Sequence, residues 1–290
     1  MPPPVRRLAP MLLALAGLLG GAEVGAEIDA GVGAGVAPAQ SRPATGLIAA
    51  DPVYIATVES DLTLVTQSGQ RLRLEGLTPP FRPFFLRPGD AWPWLRRARQ
   101  ALARQTAWQA LQITPVRLAD GAPARDRYDR LRVWAQPAGA HPDPDRSLQA
   151  RLLAQGLGRV FPLPDARQGL TALLRVEAEA RQTGRGVWRS WPYRVLAVDE
   201  ARKGLGSFAL VQGRVKSVAG GTKATYLNFG EDWRRDFTLR IPAEGRRLFE
   251  EAGLAPASLT GRRLRARGWL FYQNGVMLEL RQPEQIELLD

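Results

Sequence analysis

The chain contains no cysteine, and His141 is its only histidine. Without cysteine it can form no disulfide bond and no thiolate metal site, and one histidine excludes sites that need several imidazoles. His141 lies in the loop sequence Ala-His-Pro-Asp-Pro, which is typical of an exposed surface. A protein exported without disulfides must be held together by its apolar core, and the 45% apolar residues are sufficient to form one.

Lysine is also scarce, since Lys203, Lys216 and Lys223 are the only three, and arginine supplies the rest of the positive charge. The chain has 40 Lys and Arg residues against 28 Asp and Glu, a formal net charge of +12. This excess favours polyanionic partners such as nucleic acid or an acidic envelope surface. An arginine-rich codon usage would give the same composition, so the charge alone leaves both explanations open.

The first 26 residues have the pattern of a secretory signal. A short basic start is followed by an apolar run over residues 8–19, and Val24-Gly25-Ala26 has the small residues of a cleavage site. The pattern predicts removal of residues 1–26, a periplasmic or secreted location, and no stable membrane span after cleavage. A retained anchor is the alternative, although no basic stop-transfer cluster follows. Residues 27–45, rich in Gly, Ala, Val and Pro, predict a flexible lead-in.

Residues 46–195 predict a first domain that begins with strands. Alternating or β-branched segments indicate two strands over 53–65, with a turn near Glu59-Ser60-Asp61, and a third strand over 71–74. A helix over 92–112 follows, and then two strands over 113–118 and 131–135. Further helices are predicted over 147–155 and 170–183. Three strands, a helix and two strands is the order of a five-stranded OB barrel.

Residues 207–290 repeat this order and add one closing strand, after a predicted linker over 196–206. Strands are predicted over 207–217, 224–229 and 237–241, then a helix over 244–252 and a hairpin of 264–272 with 276–280, before a last strand over 283–289. Asn274-Gly275 between the hairpin strands favours a type I′ turn. The expected fold class is therefore mainly β with α, as two OB-like five-stranded barrels, the first with additional C-terminal helices.

Five segments of the first domain resemble, in order, motifs of the thermonuclease family of the staphylococcal-nuclease type. They are Val58-Glu-Ser-Asp-Leu62, Arg73-Leu-Glu-Gly-Leu-Thr-Pro-Pro-Phe81, Asp126-Arg-Tyr-Asp-Arg130-Leu131, Leu153-Ala-Gln-Gly-Leu157, and Glu177-Ala-Glu-Ala-Arg181 with Gly186-Val-Trp188. Each motif is short, but five in the right order over most of the domain are specific. The resemblance implies a phosphodiester-cleaving ancestry.

The family's site holds calcium with carboxylates, activates water with a Glu and binds phosphate with two Arg. By this resemblance Arg73 and Arg130 match the phosphate-binding arginines and Asp61 matches a calcium ligand. Thr78 stands where a second ligand Asp is expected, and Phe81 stands where the Glu is expected. No cofactor is therefore expected unless the protein is active, in which case it is Ca²⁺. Rescue by Glu59, Glu75 or Asp90 is the alternative.

Each matched residue also has a plainer interpretation. Asp61 is either a metal ligand or a turn-former that accepts hydrogen bonds from local backbone N–H groups. Arg73 and Arg130 either face a phosphate or lie on solvated strand faces. Thr78 offers a metal only one neutral oxygen.

The second domain has its own candidates for polyanion binding. Strand alternation places Arg263, Arg265 and Arg267 on one face, and Tyr226 and Trp233 are candidate aromatic contacts. The alternative is that aromatic residues such as Tyr226 fill the barrel.

The sequence thus predicts a thermonuclease-like protein that binds nucleic acid or another polyanion with little or no hydrolysis. Two alternatives stay open: an active calcium-dependent nuclease using an unusual carboxylate, and a cell-envelope scaffold that binds proteins. The oligomeric state and the physiological ligand do not follow from the sequence.

Overall fold

A computed structural model describes residues 51–83, 86–87, 92–139, 143–163, 167–232 and 234–289. The predicted signal (1–26) and the predicted lead-in (27–45) lie outside these residues. So do Asp90, His141 and Trp233.

The described chain consists mainly of short strands with a few helices, which confirms the mainly β, α+β class. The strands are β1 (Ile55–Val58), β2 (Leu64–Thr66), β3 (Arg71–Leu74), β4 (Leu77–Thr78), β5 (Leu111–Pro115), β6 (Leu131–Pro137), β7 (Arg159–Val160), β8 (Leu196–Ala197), β9 (Phe208–Arg214), β10 (Ser217–Gly220), β11 (Ala224–Asn228), β12 (Phe237–Pro242), β13 (Arg263–Tyr272), β14 (Val276–Glu279) and β15 (Ile286–Leu288). The helices are α1 (Trp94–Thr106), α2 (Leu148–Ala154), α3 (Leu170–Gln182) and α4 (Arg246–Glu251).

The first sheet has the order β1-β2-β3-β6-β5, and only the β3–β6 pair is parallel. Leu72 and Leu74 of β3 are buried, while Arg71 and Arg73 point to the other face, as alternation predicts. A single antiparallel bridge between Val53 and Leu111 joins the two edges of this sheet. Helices α1, α2 and α3 cover its apolar face and complete the first core.

The second sheet has the order β10-β11-β12-β14-β13-β9-β8, with β15 paired to β13. Here the parallel pairs are β12–β14 and β8–β9. Its core includes Leu239, Phe249 and Leu264, all fully buried. Asn274 and Gly275 have φ angles of 51° and 104°, as the predicted type I′ turn requires at both positions.

The predicted linker is part of this second sheet and not a spacer. Leu196 in β8 pairs with β9, and a 3₁₀ segment over Val198–Gly204 buries Ala201 in the second core. Apolar residues at these positions gain more from burial than from solvation, so the segment folds onto its neighbour.

A third apolar cluster joins the first half of the chain, which ends at residue 195, to the second half, which begins at residue 196. Trp188 and Tyr193, which follow α3, pack with Phe208 and Leu210 of β9. The described residues from 51 to 289 accordingly belong to one compact unit. Among the described residues, none of the helices combines the length and apolarity needed to cross a bilayer.

Candidate functional site

Arg130 is held by the turn that carries it. Asp126 starts this turn, and its Oδ1 accepts hydrogen bonds from the backbone N–H groups of Tyr128 (2.9 Å) and Arg130 (3.1 Å). Asp129 takes the left-handed conformation at φ 59°. The Asx-type hydrogen bonds therefore fix Arg130 at the start of β6.

The Arg130 guanidinium contacts two carboxylates. Its Nε and Nη2 lie 2.8 and 2.6 Å from Asp126 Oδ2, and its Nη1 lies 2.5 Å from Asp61 Oδ2. Nη1 also donates to Thr63 Oγ1 at 2.7 Å. Only 11% of the Arg130 side chain is exposed, so these charge-assisted hydrogen bonds form in a shielded environment.

Both carboxylates are stabilised in their charged form. Burial opposes ionisation of Asp61, but hydrogen bonds from the Thr63 side chain and backbone and the charge of Arg130 outweigh it and lower its pKa. For Asp126, burial is likewise outweighed by hydrogen bonds from Arg130 and from backbone N–H groups, and its pKa is lowered. Each group therefore carries its charge at neutral pH.

Arg73 lies beside this cluster but is more weakly paired. Its Nη1 is 3.7 Å from Asp126 Oδ2, and 28% of its side chain is exposed. Burial lowers the Arg73 pKa, although not enough to discharge a guanidinium at neutral pH. On the same face, Arg71 forms an exposed pair with Glu59 at 2.6 Å. The sequence-predicted residues Asp61, Arg73 and Arg130 thus come together, with positive and negative charges nearly balanced.

Glu75 is not available as a substitute catalytic carboxylate. Its side chain is 1% exposed, and Oε2 accepts a hydrogen bond from Arg132 Nε at 2.8 Å. Its Oε1 is buried without a hydrogen-bond partner. Glu75 therefore forms a buried ion pair between β3 and β6 and does not face the solvent beside Arg73.

Thr78 and Phe81 line a different part of the molecule. They border a cavity of about 220 Å³ between the two halves, together with Arg159 and Tyr193. The Tyr193 hydroxyl donates to the Phe81 carbonyl at 2.9 Å, which fixes the loop to the segment that follows α3. Thr78 therefore lies beside the cavity between the two halves and not beside Asp61.

These residues do not fit a calcium site. Asp61 accepts a backbone hydrogen bond from Thr63 at 3.1 Å on Oδ1 and the Arg130 ion pair on Oδ2. A calcium ion needs six to eight oxygens and would have to displace that guanidinium. Within the described ranges, no three acidic or His side chains cluster closely enough to hold a metal.

No family model and no curated protein matches this chain.

The predicted arginine row of β13 requires a correction. Arg263, Arg265 and Arg267 share one face, but Arg267 is 1% exposed and Arg265 is largely covered. Acidic residues from other elements neutralise them: Glu287 of β15 lies 2.7 Å from Arg265, and Glu177 of α3 lies 2.6 Å from Arg267. Arg267 also pairs with Glu287. Arg267 is therefore part of the contact between the halves, Arg265 is paired beside it within the second half, and neither forms an open binding face.

Tyr226 is half-buried and borders a shallow groove of about 320 Å³ with Asn274 and Met277. It does not fill the second core. No contact in the described structure joins it to Arg265 or Arg267.

Two partners of Arg130, Asp126 and Thr63, were not among the predicted site residues. Asp126 stands four residues before Arg130 in a turn motif, which was the available signal. Thr63 had none, because a contact with a residue 67 positions away depends on the sheet order.

Proposed function

We propose that this is a thermonuclease-like protein that binds nucleic acid or a similar polyanion and hydrolyses it little or not at all. The observation that carries the loss of hydrolysis is the ion pair of Asp61 with Arg130 at 2.5 Å, whereas the binding of a polyanion rests on the net charge of +12. The carboxylate that would hold a metal and the guanidinium that would hold a phosphate neutralise each other.

The proposed OB type of both halves is supported by their sheet order. In each, a strand that precedes the helix pairs in parallel with a strand that follows it, as β3 with β6 around α1 and β12 with β14 around α4. The Val53–Leu111 bridge lies where closure of the first barrel would occur.

Loss of hydrolysis is supported by the residue at position 81 and by the ion pairs of Glu75 and Glu59. Phe81 has no group that transfers a proton, Glu75 is paired with Arg132, and Glu59 is paired with Arg71. General-base and electrostatic groups each contribute a few powers of ten in rate, so replacing them leaves little activity. The net charge of +12 favours retention of a polyanion without these groups.

The test is a combined cleavage and binding assay. The full chain is incubated with single-stranded and duplex DNA and RNA, with calcium or with chelator. We expect salt-sensitive binding and no calcium-dependent cleavage. Chelator-sensitive cleavage that Asp61→Ala abolishes would show an active nuclease. Absence of binding at low salt would instead favour the envelope scaffold.

A further inference from the structure

Helix α1 carries four arginines and no acidic residue. Arg96, Arg97, Arg99 and Arg104 are exposed, whereas Ala98, Ala101, Leu102 and Thr106 face the first core. An amphipathic helix normally alternates charges of both signs on its solvent face. This helix presents a solvent face of one sign.

These four arginines have no ionic partner among the described residues. Arg99 Nε donates to the Val58 carbonyl at 2.8 Å, and the Arg97 guanidinium lies 4.9 Å from the Trp94 ring centroid. Neither contact removes charge. By contrast, Arg130, Arg132 and Arg267 are each paired with a carboxylate. Arg117 and Arg127 also contact only neutral groups, but they lie in separate loops, whereas α1 carries four such arginines on one element.

A groove runs along each side of the helix. One, of about 750 Å³, lies between α1 and β1 and is lined by Arg96, Arg99 and Gln100 among others. The other, of about 450 Å³, is lined by Arg97, Arg104, Gln100, Arg185 and Arg189. Gln100 borders both, so the two grooves flank one helix.

No acidic side chain lines either groove. Glu179 lies 3.3 Å from Arg185. The pair leaves the other groove arginines uncompensated. A chain of phosphates therefore meets almost only positive charge on this surface.

Two exposed aromatic residues border the larger groove. Trp108 is fully exposed directly after the helix, at φ 56°, and Tyr54 is 46% exposed. A tryptophan held in the left-handed region and left in water gains nothing from packing. Its ring is available to stack on a flat partner.

We propose that α1 and its flanking grooves bind single-stranded nucleic acid, with the arginines on the phosphates and Trp108 stacked on a base. Exposed aromatic rings stack on unpaired bases but not on paired ones, so a single strand fits better than a duplex. This inference rests on the proposed polyanion binding and assigns its location, which differs from the Arg73–Arg130 cluster.

The experiment compares variants of the full chain on a fluorescent single-stranded oligonucleotide over a range of salt concentrations. Arg96→Gln/Arg97→Gln/Arg104→Gln removes three α1 charges and keeps good helix formers. Arg117→Gln/Arg235→Gln/Arg247→Gln is the matched control, because it removes three exposed arginines elsewhere. Circular dichroism confirms that each variant is folded.

We expect the α1 variant to bind about tenfold or more weakly than the control, with a salt slope smaller by about 2. Trp108→Asn suits the left-handed backbone and should weaken oligonucleotide binding roughly fivefold or more. It should leave the binding of inorganic polyphosphate unchanged, since polyphosphate has no base to stack.

The outcomes separate this inference from the proposed function. If the wild type binds neither nucleic acid nor polyphosphate, both fail, and if it binds polyphosphate alone, only this inference is overturned. If the wild type binds and the α1 variant matches the control, only the location is wrong, and Arg73→Gln then tests the cluster. If α1 is needed for binding to vesicles of anionic lipid but not to oligonucleotides, the partner is a membrane surface and the inference is overturned.

Discussion

Arg130 joins two carboxylates that come from distant parts of the chain. Asp126 precedes it by four residues, whereas Asp61 belongs to the turn between β1 and β2. A hydrogen bond to a charged group contributes about 1.5–3 kcal/mol to stability, so several on one guanidinium make it a main cross-link of the first half. Arg130, which by resemblance matches a phosphate-binding arginine, is here a structural cross-link.

The ion pairs of Arg130 with Asp61 and Asp126 make the stability of the first half sensitive to acid. Asp61 and Asp126 have lowered pKa values in the folded protein, so their contribution is fully present above the ordinary Asp pKa of about 3.9. It is lost as the pH falls through the lower folded values. We expect the free energy of unfolding, measured with urea, to fall steeply below about pH 4.

Asp126→Asn should lower the stability at pH 7 and flatten the acid dependence, because one of the titrating groups is gone. Asp129→Asn is the control, since the Asp129 side chain is 87% exposed and its left-handed backbone also suits Asn. Equal acid dependence in the two variants would contradict the assignment.

At this scale the sequence predicted which residues meet but not how they are paired. The motifs placed Arg73, Arg130 and Asp61 together, because motif order reflects the order of the strands. The charge balance depends on distances of 2.5–3.7 Å, which arise from packing and not from spacing along the chain. A carboxylate can be the partner of an arginine or a ligand of a metal ion, and the residue type alone does not show which of the two it is.

Among the elements, β13 shows what alternation can and cannot predict. Its arginines share one face and Leu264 and Ala266 share the other, as the period of two requires. The expected open face was wrong for Arg265 and Arg267, since alternation does not show which element covers a face. Glu287 pairs directly opposite Arg265 in β15, so the neutralising charge is supplied by another strand.

Helix α1 ends earlier than its sequence pattern predicts, at Thr106 instead of near residue 112. Ala107 is extended and Trp108 is left-handed, and two such residues break the hydrogen-bond ladder. Apolar spacing alone did not reveal this break, because it contains neither glycine nor proline.

The hairpin turn between β13 and β14 gives an element-scale prediction. Gly275 has φ 104°, a region that a side chain disfavours, so Gly275→Ala should destabilise the protein by about 1–2 kcal/mol. Gly220→Ala in β10 is the control, since a Cβ there meets open space and the backbone is not left-handed. Urea unfolding measures both, and equal stability of the two variants would contradict the turn geometry.

At the scale of the whole molecule, the two halves are joined by a cluster of ion pairs, which is called the seam below. Arg267 is buried and paired with Glu177 of α3 and with Glu287, and Arg181 also contacts Glu287 at 2.9 Å. Burial opposes ionisation of Glu287, but Arg267, Arg181 and Arg265 outweigh it and lower its pKa. The halves are therefore joined by charge as well as by the apolar cluster.

Removing one partner of this buried pair should be costly. Glu177→Gln leaves Arg267 buried with less compensation, and we expect a loss of about 3–5 kcal/mol in the free energy of unfolding. Glu179→Gln, two residues away on the exposed side of α3, should change stability by less than about 0.5 kcal/mol. If urea unfolding gives the same value for both variants, the seam is not stabilised by Glu177.

The order of the longer strands and of the helices was predictable, because local periodicity and turn residues determine it, but the two-residue strands β4, β7 and β8 were not predicted. The seam was not predictable either, since Glu177 and Arg267 stand 90 positions apart and no local pattern connects them. The predicted linker was wrong for a related reason: a short apolar segment has the same composition in a spacer as in an edge strand.

The Glu177–Arg267 pair also limits how this architecture can be inherited. Each residue belongs to a different half, and without the other Arg267 would keep only Glu287 and Glu177 only Arg181 as a charged partner in a buried site. Recombination that exchanged one half for that of a distant homologue would succeed only if the incoming half carried the matching residue. The two halves are therefore expected to descend together as one evolutionary unit, although each has its own sheet and core.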